Sequence, residues 1–178
     1  RRGTGVRREA ARLRGTLTHR LLQSLPDIPL PRRDEVANEF LSRRGKRLPP
    51  DQRAALLREV LLLIASKDFA EVFAHGSRAE VPIVGKLNEA LSVSGQVDRL
   101  SITQSAVLIA DFKTASRPPA DETAIPPATQ AQLAVYRALI GQIYPGRQVR
   151  TLVIYTATLA TLEPQGAARD AVLANLAG

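Results

Sequence analysis

The stretch Val93-Ser94-Gly95-Gln96-Val97-Asp98-Arg99-Leu100-Ser101-Ile102-Thr103-Gln104-Ser105-Ala106-Val107-Leu108-Ile109-Ala110-Asp111-Phe112-Lys113-Thr114 decides how the rest of the chain is read. Val93 to Ile102 is rich in β-branched residues and half alternating. Val107 to Phe112 is almost wholly apolar, so both runs are expected as strands. The polar break Thr103-Gln104-Ser105 predicts an antiparallel hairpin, although it lacks the Asn-Gly signature of a tight two-residue turn. A turn centred between Gln104 and Ser105 pairs Thr103 with Ala106 and, further along, Asp98 with Asp111. The two aspartates then face each other on one side of the sheet, with Cβ atoms roughly 4.5–5.5 Å apart. Lys113, two residues beyond Asp111, points to that same side.

Facing carboxylates on an apolar hairpin repel, and burying them uncompensated is costly. A hard divalent cation resolves the conflict, because Mg²⁺ takes one or two carboxylates together with waters and phosphate oxygens. A lysine beside such a site can orient a water or neutralise phosphate charge. The plainer alternative is a surface hairpin whose acids are solvated or paired with Arg99 and Lys113. Two opposed aspartates and a same-face lysine, on a strand as apolar as Val107-Leu108-Ile109-Ala110, favour the metal.

Composition narrows the partners. A chain of 178 residues that is 44% apolar fits a single domain with a full core. Its lack of cysteine excludes disulfides, thiolate zinc sites, cysteine-ligated iron–sulfur clusters and cysteine nucleophiles. With no methionine either, the chain is expected to be a fragment of a longer protein. Lys and Arg exceed Asp and Glu by 25 to 17, a net charge of +8. That excess marks a polyanion binder, whether of RNA, DNA or an anionic membrane. No apolar run approaches the roughly 20 residues of a membrane span, and no signal peptide is visible, so the cytoplasm is the expected location.

Upstream of the hairpin, Arg1, Arg2, Arg7, Arg8, Arg12 and Arg14 precede or join an amphipathic helix expected over Val6 to Leu25. Val6, Ala10, Leu13, Leu17 and Leu21 form its apolar stripe. His19 lies four residues after Gly15, and a glycine inside a helix commonly signals close backbone packing. Pro26, Pro29 and Pro31 end this helix. The charged segment Asp34 to Arg47, with the basic knot Arg43-Arg44-Gly45-Lys46-Arg47, reads equally as a nucleic-acid contact or a solvated loop. Asp51 is expected to cap a second helix with Ala54, Leu57, Leu61 and Ile64 on one face, followed by a short helix around Asp68 to Phe73. Glu80-Val81-Pro82-Ile83-Val84 is expected as a first strand, placed at an edge or strand start by Pro82.

Downstream, Arg117 to Pro127 is a Pro- and Ala-rich loop expected to lack regular structure, and loops beside sites commonly gate or bind substrate. A helix is expected over Thr129 to Ile143, with Leu133, Ala134, Leu139, Ile140 and Ile143 apolar and Gln132 and Tyr136 on one stripe. Tyr144-Pro145-Gly146-Arg147 is a turn, Val149 to Thr156 a final strand, and Ala167 to Leu176 a closing helix. The order of helices, three-strand meander, crossover helix and strand suits a mixed sheet with helices on its faces.

Gly95-Gln96-Val97-Asp98-Arg99-Leu100, followed by Ile109-Ala110-Asp111-Phe112-Lys113-Thr114, resembles the core of the PD-(D/E)xK nuclease superfamily, in particular its RecB-like branch, whose motifs read G-x-(I/V)-D and D-(Y/F)-K-(T/S). Gly15 to Leu22 resembles the G-x-x-x-H-x-x-L segment that opens such domains, where the histidine is a metal ligand. Glu80 looks like their upstream acid, and Gln132-Leu133-Ala134-Val135-Tyr136 matches their Q-x-x-x-Y motif. The resemblance spans residues 15–156 and implies an α/β, restriction-endonuclease-like fold, a mixed β-sheet flanked by helices.

It further implies Mg²⁺, replaceable by Mn²⁺, held by His19, Asp98, Asp111 and the Phe112 backbone carbonyl. Asp98, Asp111, Lys113, Glu80, Gln132 and Tyr136 would form the catalytic set. Lys113 would position the nucleophile, and Gln132 and Tyr136 would orient DNA whose backbone tracks Arg8 and Arg12. AddB-like members carry an iron–sulfur cluster, which this chain lacks the cysteines to hold. Arg14-Gly15-Thr16-Leu17 with His19 to Pro26, Val81 to Gly85 and Tyr144 to Arg147 look closest to the C-terminal nuclease domain of an AddA-type helicase–nuclease subunit. That likeness implies helicase domains in the same polypeptide, an AddB-type second subunit, single-stranded ends of unwound DNA as substrate, and resection of double-strand breaks for recombinational repair. A different class stays open: a catalytically silent nuclease-fold module that binds DNA or braces a complex.

Overall fold

The computed structural model describes residues 2–89 and 91–164; the side chain of Val6 and the expected helix Ala167 to Leu176 lie outside what it describes. Helix α1 (Arg2–Ser24) buries Leu17, Leu21 and Leu22, with Ala10 and Leu13 packed partly against the same core. Arg7, Arg8 and Arg12 stand on its exposed side. The chain then tightens into 3₁₀ turns at Leu25–Asp27 and Leu30–Arg32, each started by a proline.

Where the sequence left a charged loop or contact segment open, the chain forms helix α2 (Arg33–Arg44). Asp34 and Glu35 in its first turn and Arg43 and Arg44 in its last complement the helix dipole, while Ala37 and Leu41 seat it on the core. Helix α3 (Pro50–Ala65) starts with Pro50 behind Pro49, so Asp51 sits in the first turn and does not cap it. Its core stripe is Leu56, Val60, Leu63 and Ile64. Of the face expected to hold Ala54, Leu57, Leu61 and Ile64, Ile64 is buried, Leu57 and Leu61 pack partly against the core while lining an open groove beside α2, and Ala54 is exposed in that groove. A helix apolar around most of its circumference offers two stripes of the same period, and spacing cannot choose between them. The short helix expected around Asp68 to Phe73 is a 3₁₀ turn, Lys67–Phe69, capped by the Ser66 side chain.

Strands β1 (Arg78–Lys86), β2 (Ser92–Ile102), β3 (Ala106–Lys113), β4 (Gln148–Tyr155) and β5 (Ala160–Leu162) form one mixed sheet in the order β1-β2-β3-β4-β5. The first three run antiparallel. Helix α4 (Pro127–Ile143) then carries the chain across so that β4 lies parallel to β3, and the short β5, unanticipated from the sequence, closes the far edge. Pro82 occupies the edge strand β1, where a missing N–H is harmless. The hairpin register is Arg99↔Ala110 through Ile102↔Val107, fixed at the turn by a hydrogen bond from the Thr103 N–H to the Ala106 carbonyl.

Helices α1, α2 and α3 cover one face of the sheet, over Ala110, Phe112, Leu152 and Ile154. Helix α4 covers the other, over Val107, Ile109, Val149 and Val153. Ile143, expected on α4's apolar face, is 61% exposed at the helix end. The loop before α4 carries a 3₁₀ turn at Glu122–Ala124, where the Asp121 carboxylate accepts from the Thr123 and Ala124 N–H groups. That local capping gives regular structure to a segment expected to have none.

Candidate active site and metal centre

The sheet is irregular at one row. Pairing between β1 and β2 skips Glu80 opposite Asp98, and pairing between β2 and β3 stops at Arg99↔Ala110, one step short of Asp98 opposite Asp111. Glu80 has φ 52°, a left-handed conformation that an L-residue adopts at a cost. Val97 and Leu100, three residues apart, pack into the same α4-side core, so face alternation slips by one residue at Asp98 and Arg99. The hairpin register is therefore the one expected, and the opened row turns Asp98 toward the α1 side while Asp111 stays close enough to act electrostatically on Asp98 and His19.

Asp98 fills the opening it creates. Its Oδ2 accepts a hydrogen bond from the Phe112 N–H at 2.8 Å. In a continuing ladder that N–H would face the carbonyl of Val97. The second carboxylate oxygen, Oδ1, lies 3.6 Å from His19 Nδ1 across the face covered by α1. Glu80 completes the group: one ligand atom each from His19, Glu80 and Asp98 lie within 4.8 Å of one another, and all three residues are half-buried. The facing Asp98 carboxylate holds the His19 imidazole above its ordinary pKa, against the opposing effect of burial.

Asp111 stands beside this group, paired with Lys113. The Lys113 ammonium donates to Asp111 Oδ1 at 3.2 Å and reaches Oδ2 at 2.9 Å, but Oδ2 is buried without an aligned hydrogen-bond donor. Burial pushes the Asp111 carboxyl up from its ordinary value, and Lys113 draws it partly back. The Phe112 carbonyl points by strand alternation to the same side as its N–H, into the opening beside Asp98, while the neighbouring Lys113 carbonyl accepts from the Thr156 N–H just after β4. An imidazole, two carboxylates and an under-satisfied buried carboxylate oxygen form a donor set that fits a hard divalent cation such as Mg²⁺ or Mn²⁺.

Gln132 and Tyr136 lie on the other side of β2. The Tyr136 hydroxyl accepts from Gln132 Nε2 at 2.9 Å and from the Gln96 N–H at 3.1 Å, with the tyrosine 6% exposed. It occupies the space beside Gly95, where a Cβ would lie 2.0 Å from its oxygen. Only glycine fits there. The motif on α4 thus grips the backbone of the motif on β2, and the Gln96 side chain in turn donates to the Glu80 carbonyl at 3.0 Å.

Two grooves run along α1. One, over the acidic group, is lined by Thr16, His19, Arg20, Gln23, Glu80 and Gln96. The other is lined by Arg8, Glu9, Arg12, Leu13, Thr16 and Arg47, and Thr16 belongs to both. Sequence reasoning had missed Gln96 and left Arg47 undecided. Gln96 lies inside the quoted G-x-V-D run, and its nearness to Asp98 was the available signal. Arg47 is joined to α1 by an ion pair with Glu9, a contact no local pattern announces. Arg99 pairs with neither aspartate: it is 2% exposed and turned into the core.

A family model described as the PD-(D/E)XK nuclease superfamily matches residues 1–175. No curated protein matches the sequence. Among solved structures, SSO0001 aligns with 90% of this chain and 72% of its own, at 13% identity and a TM-score of 0.40. Protein VC1899 from Vibrio cholerae aligns with 94% of this chain and 46% of its own, at 15% identity and a TM-score of 0.38.

Proposed function

Since this chain belongs to the PD-(D/E)XK nuclease superfamily, we propose that it hydrolyses DNA phosphodiester bonds at a divalent-metal site built on His19, Glu80 and Asp98, with Asp111 and the Phe112 carbonyl beside them. The observation that carries this reading is the convergence of the three ligand atoms within 4.8 Å at the row where the sheet opens. When bound, a divalent ion supplies a Lewis acid to the phosphate and a water of lowered pKa.

The protein's own groups do the rest. Asp98, anchored by the Phe112 N–H, presents one oxygen in a fixed direction. Lys113, with a side chain 35% exposed, reaches solvent from beside Asp111 and, among the described residues, is the ammonium placed to hold the attacking water and offset charge on the phosphate. Arg8, Arg12 and Arg47 line the groove that meets the acidic group at Thr16, a path suited to a phosphate backbone. Gln132 and Tyr136 serve the reaction through Gly95 and Gln96, by holding β2 in place.

The finer identity we favour is the RecB-like branch and, within it, an AddA-type nuclease domain that trims single-stranded ends released by helicase domains of the same polypeptide. An AddB-type subunit would be its partner, and resection of double-strand breaks its task. The absence of cysteine and the motif order support this reading. The test is incubation of the chain with single-stranded and duplex DNA, with Mg²⁺ and with a chelator. Chelator-sensitive cleavage is expected. DNA binding without cleavage would make the chain a silent nuclease-fold module.

A further inference from the structure

Arg99 is the residue of the hairpin that the reaction leaves unused. Its guanidinium is almost wholly buried, and burial lowers its pKa from the ordinary value. A buried cation is normally paired with an acid. Arg99 instead spreads its donors over two segments, the end of α1 and the stretch from Val72 to Ser77. Nε reaches the Val72 carbonyl at 3.3 Å and Ser77 Oγ at 3.0 Å, and Nη2 reaches Ser77 Oγ at 2.8 Å. Nη1 donates to the Leu22 carbonyl at 3.3 Å, in the last turn of α1. That carbonyl is among the four a helix end leaves without intrahelical partners, and α1 has no basic residue in its own last turn. His19 lies three residues earlier, one helical turn away on the same face.

A second connection runs through rings. The Arg99 guanidinium sits over the Phe73 ring, 5.1 Å from its centroid. Phe73 lies parallel to Phe112, with centroids 6.0 Å apart and planes 2° from parallel. Phe112 meets the His19 imidazole edge-on at 6.3 Å. Phe112 is also the residue whose N–H fixes Asp98. From Arg99 a chain of contacts thus reaches His19 both through the α1 backbone and through Phe73 and Phe112, and closes on Asp98, its own neighbour in β2.

We propose that Arg99 is a positioning residue for the metal site: it clamps the end of α1 to β2 and to the Val72–Ser77 segment, and so sets His19 against Asp98 at a fixed separation. Asp27 favours the Arg99 charge without a direct contact, so burying this cation with carbonyls and a hydroxyl as its hydrogen-bond partners is still costly, and this clamp gives a reason for it. A surface salt bridge would leave α1 free to shift by fractions of an ångström, enough to degrade a ligand set. Arg is needed because its planar fork addresses a carbonyl, a hydroxyl and a ring at once, which a lysine ammonium cannot. The proposal rests on the metal reading given above, and the test separates the two.

Mn²⁺ affinity is measured by titration calorimetry and by electron paramagnetic resonance on the wild-type chain, on Arg99→Lys, on Ser77→Ala and on Phe73→Leu, each checked for folding by circular dichroism. If wild type binds no Mn²⁺, the metal reading itself fails, whatever the variants do. If it binds, Arg99→Lys is expected to weaken Mn²⁺ about 10–100-fold, as loss of a residue supporting a ligand does. Ser77→Ala and Phe73→Leu remove parts of the clamp while keeping the cation, and should each weaken it by a smaller factor; they decide the matter if Arg99→Lys does not fold. His19→Ala combined with Arg99→Lys should lose little more affinity than His19→Ala alone, because both act through one ligand. Saturating Mn²⁺ should restore most of the cleavage rate to the folded Arg99→Lys chain. Wild-type Mn²⁺ affinity in the folded clamp variants, or full additivity in the double variant, overturns the proposal.

Discussion

The Phe112 N–H donates to the Asp98 carboxylate at 2.8 Å, so a side chain takes the place of a sheet rung at the row where the candidate ligands gather. This single bond joins a site residue to the stability of the hairpin. Asp98→Asn keeps an oxygen for the Phe112 N–H but loses the charge facing His19. At a pH where His19 is neutral, that variant should fold with a metal-free melting temperature equal to or above wild type, because a carboxylate that opposes Asp111 is gone, and it should bind Mn²⁺ at least tenfold more weakly. Asp98→Ala leaves the N–H unpaired and should cost about 1–3 kcal/mol in chemical denaturation. Equal stability of the two variants would show that the bond does not hold the hairpin.

Glu80 offers a contrasting test, because its backbone is strained where its side chain is wanted. At φ 52° a non-glycine residue costs about 1–2 kcal/mol. Glu80→Gly should therefore raise metal-free stability while weakening Mn²⁺ binding. Glu80→Val, β-branched, should lower both. Parallel thermal melts and Mn²⁺ titrations check the opposite signs.

Gly95 and Tyr136 form an interlock away from the metal. Gly95→Ala would set a methyl 2.0 Å from the Tyr136 hydroxyl and 2.8 Å from its ring carbon Cζ. Overpacking of this kind costs about 1–3 kcal/mol. Tyr136→Phe alone removes an acceptor for the Gln96 N–H, at about 1 kcal/mol. Together they should destabilise by less than their sum, since the hydroxyl removed is the atom the methyl meets; urea denaturation of the four chains measures that coupling.

The pH dependence has a definite sign. His19 is raised above 6.5 by Asp98, and Asp111 above 3.8 by burial. A raised folded-state pKa contributes stability that is full below the unfolded value and is lost as pH rises through the folded one. Without metal, the contribution of Asp111 is full below 3.8 and that of His19 below 6.5, and each fades as pH climbs past its raised value. Metal binding needs the imidazole neutral and the acids ionised, so its effect runs the other way. The rise in melting temperature caused by Mn²⁺ should be small at about pH 5.5 and large at about pH 8. An equal rise at both would remove His19 from the ligand set.

Much of this was legible in the hairpin itself. The turn at Thr103 to Ala106 fixes the register, and the alternation of Val107 and Ile109 fixes the α4 side of β3. The mixed sheet followed from one crossover helix between β3 and β4. The slip at Asp98 was not legible, because a face change in β2 comes from the paired distortion of Glu80 and from α1 packing above, which no two-residue period records. The spacing put Asp111 beside Asp98, and the two carboxylates do act on each other, but it could not show that His19 and Glu80 bring their ligand atoms to the same place as Asp98. Arg99 read as a surface partner for an acid, and only the arrival of Leu22, Phe73 and Ser77 from distant segments turns it inward.

Lys113 tests most directly whether this site cleaves DNA. Its ammonium has no lone pair for a metal and is paired with Asp111, so the proposed function gives it a part in the chemical step and none in metal capture. The decisive measurement is single-turnover cleavage of a single-stranded oligonucleotide by wild type and Lys113→Ala at saturating Mg²⁺, with Mn²⁺ affinity titrated in parallel. Mn²⁺ affinity should hold or rise in Lys113→Ala, because a cation leaves an acidic site, and the cleavage rate should fall by about 10²–10³-fold. Near-normal cleavage by Lys113→Ala would contradict the proposed function.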